Sequence, residues 1–283
     1  MKQFLKITAG SLLILTGFLF IGCETDTNQT FAKFNRLVWE DNFDVDGEVD
    51  LSSWNFDIGD GSDQGLPGWG NNELQYYTNR PENVTVDNGF LLITARKEQF
   101  NGSQYTSARL QTKGKISQRY GRFEARMRLP FGQGMWPAFW LLGDDGDGEI
   151  WPKIGEIDIM ENTGDKPTEV FGTVHGPGYS GGESISRTFT LEDERVDTDF
   201  HIYGVEWGPN YINWYIDDVL YYRVTPEDVD EETNGEGEWV FNDREFYIIL
   251  NIAVGGNLPG PPNDNTVFPQ TMLVDYVRMY AFE

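Results

Sequence analysis

The sequence predicts an all-β domain, a sandwich or a barrel of many short strands. Three observations carry that expectation. Strand-like runs recur along the chain, turn clusters punctuate them, and no stretch sustains a 3.6-residue apolar period for three turns. Composition agrees: 32 Gly and 13 Pro supply turns, while 19 Phe, 13 Tyr and 9 Trp suit half-buried pleated surfaces.

The first element stands apart. Lys2 and Lys6 precede an apolar run from Ile7 to Ile21, shorter than the about 20 residues of a spanning helix and suited to the core of an export signal. The run ends at Phe20-Ile21-Gly22-Cys23 and turns polar at Glu24. That ending resembles a bacterial lipoprotein lipobox. The resemblance implies a signal peptide over 1–22, lipidation of Cys23, a polar tether over 23–33 and a folded domain over 34–283. Acyl chains on Cys23 would anchor the exported chain to membrane lipid at the cell envelope, with the outer membrane the expected home.

Strands follow. Phe90–Arg96 is the first clear one. Gly121–Leu129 alternates, with Phe123, Ala125, Met127 and Leu129 on one face and Arg122, Glu124, Arg126 and Arg128 on the other. Phe200–Trp207, Tyr211–Asp217, Phe246–Val254 and Thr271–Phe282 continue the series. The stretch Pro226–Glu238 is acidic and flanked by strand-like sequence, so it reads as a long surface loop. No repeat or low-complexity linker marks a second module, and one all-β domain absorbs the length. A monomer is expected.

Charge excludes several functions. With 46 acidic and 21 basic residues the formal net charge is −25. A nucleic-acid partner would need a cationic face, as would a protein gripping anionic lipid headgroups. One Cys excludes an internal disulfide, and two His make a histidine-rich zinc site a poor reading.

The informative segment is Gly155-Glu156-Ile157-Asp158-Ile159-Met160-Glu161-Asn162. Strict alternation puts Glu156 and Asp158 on one face and Ile157 and Ile159 on the other, which strands Glu161 on the wrong side. One extra residue in a β-bulge near Met160 returns Glu161 to the face of its partners. The two glutamates then stand about 13 Å apart at the backbone, a gap their side chains can largely close. Paired carboxyls at short range are the apparatus of glycoside hydrolysis, and crowding makes one of them keep its proton. The alternative is a solvated acidic face on an edge strand. Aromatic residues surround the segment: Trp136 and Trp140, four apart, with Trp69, Tyr76, Tyr77, Trp151 and Trp207 elsewhere. Such rings offer flat apolar faces to sugar C–H groups, although core packing is the usual fate of a Trp.

Four motifs together carry a family resemblance: Glu156-Ile157-Asp158-Ile159-Met160-Glu161 running on to Gly164, Gly134 to Trp140, Asn71 to Tyr77, and His175 to Gly182. From Val38 to Phe282 the chain resembles glycoside hydrolase family 16, in its laminarinase-like branch. The resemblance implies a β-jelly roll of two antiparallel sheets with a concave substrate cleft, and a retaining endo-β-1,3-glucanase acting by double displacement. It implies Glu156 as nucleophile, Glu161 as acid and base, and Asp158 hydrogen-bonded to Glu156 between them. Trp136 and Trp140 would line the cleft, His175 would face it near the acid, and Asn72, Arg109 and Asn257 would contact sugar hydroxyls. The partner is then a β-1,3-glucan polysaccharide.

Leu258 stands where the family often carries Trp, which implies a missing aromatic platform. The resemblance implies no cofactor for catalysis, and a structural Ca²⁺ held by the carbonyls of Glu40 and Gly89 and the carboxylate of Asp275. Three alternatives stay open: a mixed-linkage β-glucanase, an agarase-like galactan hydrolase, and a non-catalytic glycan-binding lipoprotein.

Overall fold

The computed structural model describes residues 34–281. The expected leader, Cys23, the tether and Phe282 lie outside the described residues. In chain order the elements are β1 (Arg36–Asp41), β2 (Asn55–Asp57), β3 (Gln75–Tyr77), β4 (Val84–Asp87), β5 (Phe90–Phe100), β6 (Ser103–Ser107), β7 (Arg109–Gln111), β8 (Ser117–Gln118), β9 (Gly121–Arg128), β10 (Met135–Gly143), β11 (Glu156–Glu161), β12 (Glu169–His175), β13 (Ile185–Thr190), β14 (His201–Gly208), β15 (Tyr211–Ile216), β16 (Val219–Val224), α1 (Pro226–Glu232), β17 (Phe246–Val254) and β18 (Gln270–Ala281).

These strands build the two sheets of a jelly-roll sandwich. The larger runs β16-β15-β14-β9-β18-β5-β6-β3, with β1 on β18 and β4 on β5. The smaller runs β13-β12-β11-β10-β17-β7-β2, with β8 on β17. Pairing is antiparallel except between β3 and β6, which run parallel. The six strands read from sequence all form. Phe246–Val254 keeps its bounds, β5 runs on to Phe100, and the others shift by a residue or so at their ends.

The core lies between the sheets and follows from the alternation. Phe123, Ala125, Met127 and Leu129 are all buried, as the pattern in β9 requires. Burying each large apolar side chain contributes about 1.5–3 kcal/mol. From the smaller sheet, Phe246, Ile248, Leu250, Ile252 and Val254 of β17 join the same core. The intervening Tyr247, Ile249, Asn251 and Ala253 are buried too, but on the outward face, so β17 is covered on both sides. Three indoles, Trp54, Trp207 and Trp214, are fully buried. Each finds an acceptor for its N–H: Asp41 at 2.8 Å, the Phe241 carbonyl at 2.9 Å and the Asp158 carbonyl at 2.8 Å.

The stretch read as a long surface loop contains α1. Thr225 caps it: its hydroxyl accepts the Asp228 N–H at 3.3 Å, and the Asp228 carboxylate accepts the Thr225 N–H at 2.8 Å. Pro226 occupies the first turn, where its missing N–H costs nothing. Among the helix residues only Val229 is buried. A helix with one apolar anchor shows no amphipathic period, which is why pattern reading missed it. Thr225→Ala removes half of the capping box and is expected to cost about 1 kcal/mol. Differential scanning calorimetry should then show the melting temperature lowered by about 2–4 °C.

Candidate active site on the outward face of the smaller sheet

The register of β11 slips at the same place on both of its sides. Against β10, Trp140 faces Asp158 but Phe139 faces Met160. Against β12, Thr173 faces Asp158 and Phe171 faces Glu161. One residue is therefore supernumerary between Asp158 and Glu161, which is the bulge expected near Met160. Ile157, Ile159 and Met160 are buried at 0%, 1% and 0% exposure, and the three carboxylates share the other side. The bulge is anchored across the core. The indole N–H of Trp214, on β15 of the larger sheet, donates to the Asp158 backbone carbonyl at 2.8 Å. Gly172 on β12 makes room for it, since a Cβ there would lie 2.6 Å from the Trp214 ring.

Each acid has its own partners. Glu161 accepts the Trp136 indole N–H at 2.8 Å and the Thr173 hydroxyl at 3.5 Å. Glu156 accepts the Trp151 indole N–H at 2.8 Å. Asp158 is paired with His175, whose Nε2 lies 3.1 Å from its Oδ2 and 3.7 Å from Glu156 Oε1. Among the described residues the Asp158–Glu156 hydrogen bond expected from the resemblance does not form, and His175 lies against both acids. It stands opposite Glu156 in the ladder, at the nucleophile end of the motif rather than beside Glu161.

Burial and mutual repulsion set the protonation states. Asp158 is held well above the usual carboxylate range, first by burial and then by the charges of Glu161 and Glu156, with His175 pulling the other way. Burial also raises Glu161, against the hydrogen bond from Trp136 and the charge of His175. Burial disfavours a charged His175, but Glu156, Asp158 and Glu161 outweigh it and push the imidazole up to about 9. A geometric effect acts against them. The Gly181 N–H donates to His175 Nδ1 at 3.1 Å, which favours the neutral ring with its proton on Nε2.

The sugar-facing residues expected from the resemblance gather around this group. Trp140 donates its N–H to Asn251 at 2.9 Å. The Arg109 guanidinium lies between two indoles, 4.9 Å from Trp69 and 4.7 Å from Trp140, with its Nε 2.9 Å from Asp57. Asn72 donates to Asn257 at 2.8 Å, and both are exposed. Leu258 beside them is 47% exposed, an aliphatic rim where an aromatic would give a flat face.

Several site residues escaped sequence reading. Glu73, inside the Asn71–Tyr77 motif, accepts hydrogen bonds from Gln75 at 2.6 Å and Tyr77 at 3.3 Å. Burial raises its carboxyl, with Arg109 opposing. Thr173 and Asn251 serve Glu161 and Trp140 from neighbouring strands, and only strand register reveals them. Trp151 is a mere count in the aromatic inventory until its bond to Glu156 is seen.

Two of the expected calcium positions carry other contacts. The Asp275 carboxylate takes Arg126 at 2.7 Å. Glu40 pairs in register with Arg278, three positions further along β18. Among the described residues two other groups place a His and two carboxylates within 4.8 Å: Glu156, Asp158 and His175, and Glu194, His201 and Asp217. Each holds a close His–carboxylate contact, of 3.1 Å in the first and 2.7 Å in the second.

The model of glycosyl hydrolases family 16 matches residues 71–266, a span that holds the bulged strand and every motif above except the ends of the chain. The chain belongs to this family. A relative, the Beta-glucanase of Rhodothermus marinus, is 43% identical over 286 residues, covering 100% of this chain and 96% of that protein. Two solved structures superpose with TM-scores of 0.82 at 48% identity. One is the laminarinase catalytic domain from Thermotoga maritima, with 88% of this chain and 98% of that chain covered. The other is the endo-beta-1,3-glucanase from Pyrococcus furiosus, with 88% and 95% covered. Catalysis in this family needs no cofactor.

The Trp136 indole N–H is the named donor that holds the Glu161 carboxylate down. Trp136→Phe keeps an aromatic face and loses the donor, so the Glu161 carboxyl should titrate at higher pH than in the wild type. Carboxyl ¹³C NMR across a pH series checks this; an unmoved or lowered titration would count against the assigned bond.

Proposed function

We propose that the protein is a retaining endo-β-1,3-glucanase that cleaves internal bonds of laminarin-type polysaccharide. The observation that carries the reading is the bulge of β11, which brings Glu156, Asp158 and Glu161 to one side beside Trp136 and Trp151. The similarity to the two glucanase structures supports the choice of substrate.

In this mechanism Glu156 attacks the anomeric carbon and forms a glycosyl ester, while Glu161 passes its proton to the departing glycosidic oxygen. The Trp151 indole orients the Glu156 carboxylate through Oε2, and His175 Nε2 stands 3.7 Å from Oε1. Burial raises the Glu161 carboxyl, the direction that a proton donor to the leaving group needs. Glu161 then removes a proton from water, and the hydroxide releases the sugar from Glu156. Two inversions give net retention. Asp158, paired with His175, keeps the three acids from ionising together.

Glu156→Gln should lower turnover by more than about 10³-fold while oligosaccharide binding persists. Glu161→Ala should cripple polymer hydrolysis far more than cleavage of aryl glycosides with good leaving groups. Reducing-sugar assays on laminarin, curdlan, lichenan and agar decide substrate class, and fresh-product NMR should show the β-anomer first. Preference for lichenan or agar, or an α-anomer product, would overturn the reading.

We also propose that Cys23 carries a lipid anchor at the cell envelope. Palmitate labelling and membrane fractionation should find the wild type in the membrane pellet and Cys23→Ala unlabelled and released.

A further inference from the structure

The excursion between β16 and β17, residues Pro226 to Phe241, touches both members of the Glu156–His175 pair indirectly. On the His175 side it lies on the loop that follows β12. Glu238 N–H donates to the Pro177 carbonyl at 3.1 Å, and the Tyr179 hydroxyl donates back to the Glu238 carbonyl at 2.8 Å. Tyr179 is 1% exposed, so this bond is shielded from water. Gly178 has φ +85, and a Cβ there would lie 2.7 Å from the Glu236 carbonyl oxygen, so the two backbones are in direct contact. Gly176 and Tyr179 close the loop on itself with reciprocal bonds of 2.9 and 3.0 Å. From this clamped loop the Gly181 amide reaches His175 Nδ1.

On the Glu156 side the excursion ends against Gly155, the residue immediately before the acid. A Cβ at Gly155 would meet Val240 at 3.2 Å and Phe241 at 3.3 Å. The excursion is itself stiffened. The Thr233 hydroxyl donates to the Val229 carbonyl at 2.6 Å and accepts the Gly237 N–H at 2.8 Å, and Thr225 caps α1.

We propose that Pro226–Phe241 is a positioning brace for the nucleophile: it presses the Gly181 amide onto His175 Nδ1 and fixes the backbone entering Glu156. The amide makes Nδ1 an acceptor, which obliges the neutral ring to carry its proton on Nε2, facing Asp158 and Glu156. The groups facing the ring are Glu156, Asp158 and Glu161 from β11, and the indole of Trp151, whose ring centroid lies 6.1 Å away. Without the brace, Nδ1 loses its donor and becomes free to bind a proton. The imidazolium that results stays paired with the acids and withdraws charge from the attacking oxygen.

Two histidines in the chain make the test direct. Long-range ¹H–¹⁵N spectra report the tautomer and titration of His175, with His201 as internal reference. Tyr179→Phe deletes the donor to Glu238. Its neutral His175 should populate both tautomers, its titration should move to higher pH, and kcat should fall about five-fold with KM within about twofold. Thr233→Val, on the excursion itself, should move the spectrum in the same direction. Thr94→Ala breaks a 3.0 Å bond to Thr271 in the other sheet and should leave His175 unmoved. A loss of kcat in Tyr179→Phe with unchanged His175 spectra would overturn the brace, and so would an equal displacement in Thr94→Ala. The activity arm rests on the glucanase reading. A wild type inactive on laminarin would sink that reading alone, because the spectral arm needs no substrate.

Discussion

A single supernumerary residue in β11 is the constraint on which the site depends. A strand that alternated regularly from Glu156 would bury Glu161 in the core and turn Met160 out of it. The slip between Asp158 and Glu161 resolves that conflict, but it breaks the ladder and leaves backbone polar groups seeking partners. A buried carbonyl without a donor costs about 1–3 kcal/mol. Trp214 supplies the donor from the opposite sheet, through space that Gly172 leaves vacant. The irregularity is thus held by both layers of the sandwich.

The same crowding that suits the chemistry opposes folding. Three carboxylates in partly buried surroundings repel one another and lose hydration. The structure offsets this with indole donors aimed at individual oxygens, Trp136 on Glu161 and Trp151 on Glu156, and with His175 set 3.1 Å from Asp158. It also lets protons stay where burial favours them. Arg109 meets a similar demand differently, with two indoles against its guanidinium and its charge met by Asp57.

What could be read from the sequence was whatever follows from one strand at a time. The alternation of β9 located a core face, and the failure of Glu156–Glu161 to alternate located the bulge. What escaped needed two strands or two sheets. Thr173, Asn251 and Trp214 act through cross-strand register and cross-core reach, which no local period encodes. Helix α1 escaped because one buried valine makes no stripe, although Thr225 and Asp228 carried its capping signal. His175, expected beside the acid, stands opposite Glu156, a pairing that only the strand register reveals. The calcium set, carried over by resemblance alone, meets an Arg126 that no motif announced.

One strand bears on how such a protein can change. β17 is covered along its whole length, its even-numbered side chains by the opposing sheet and its odd-numbered ones by the outward layer that includes Trp140. Almost any enlargement or deletion there disturbs packing on one side or the other. Evolvability is therefore concentrated at the margins, in connections such as the one bearing Leu258. A laboratory library seeking new polysaccharide preferences should diversify those margins and leave the floor untouched.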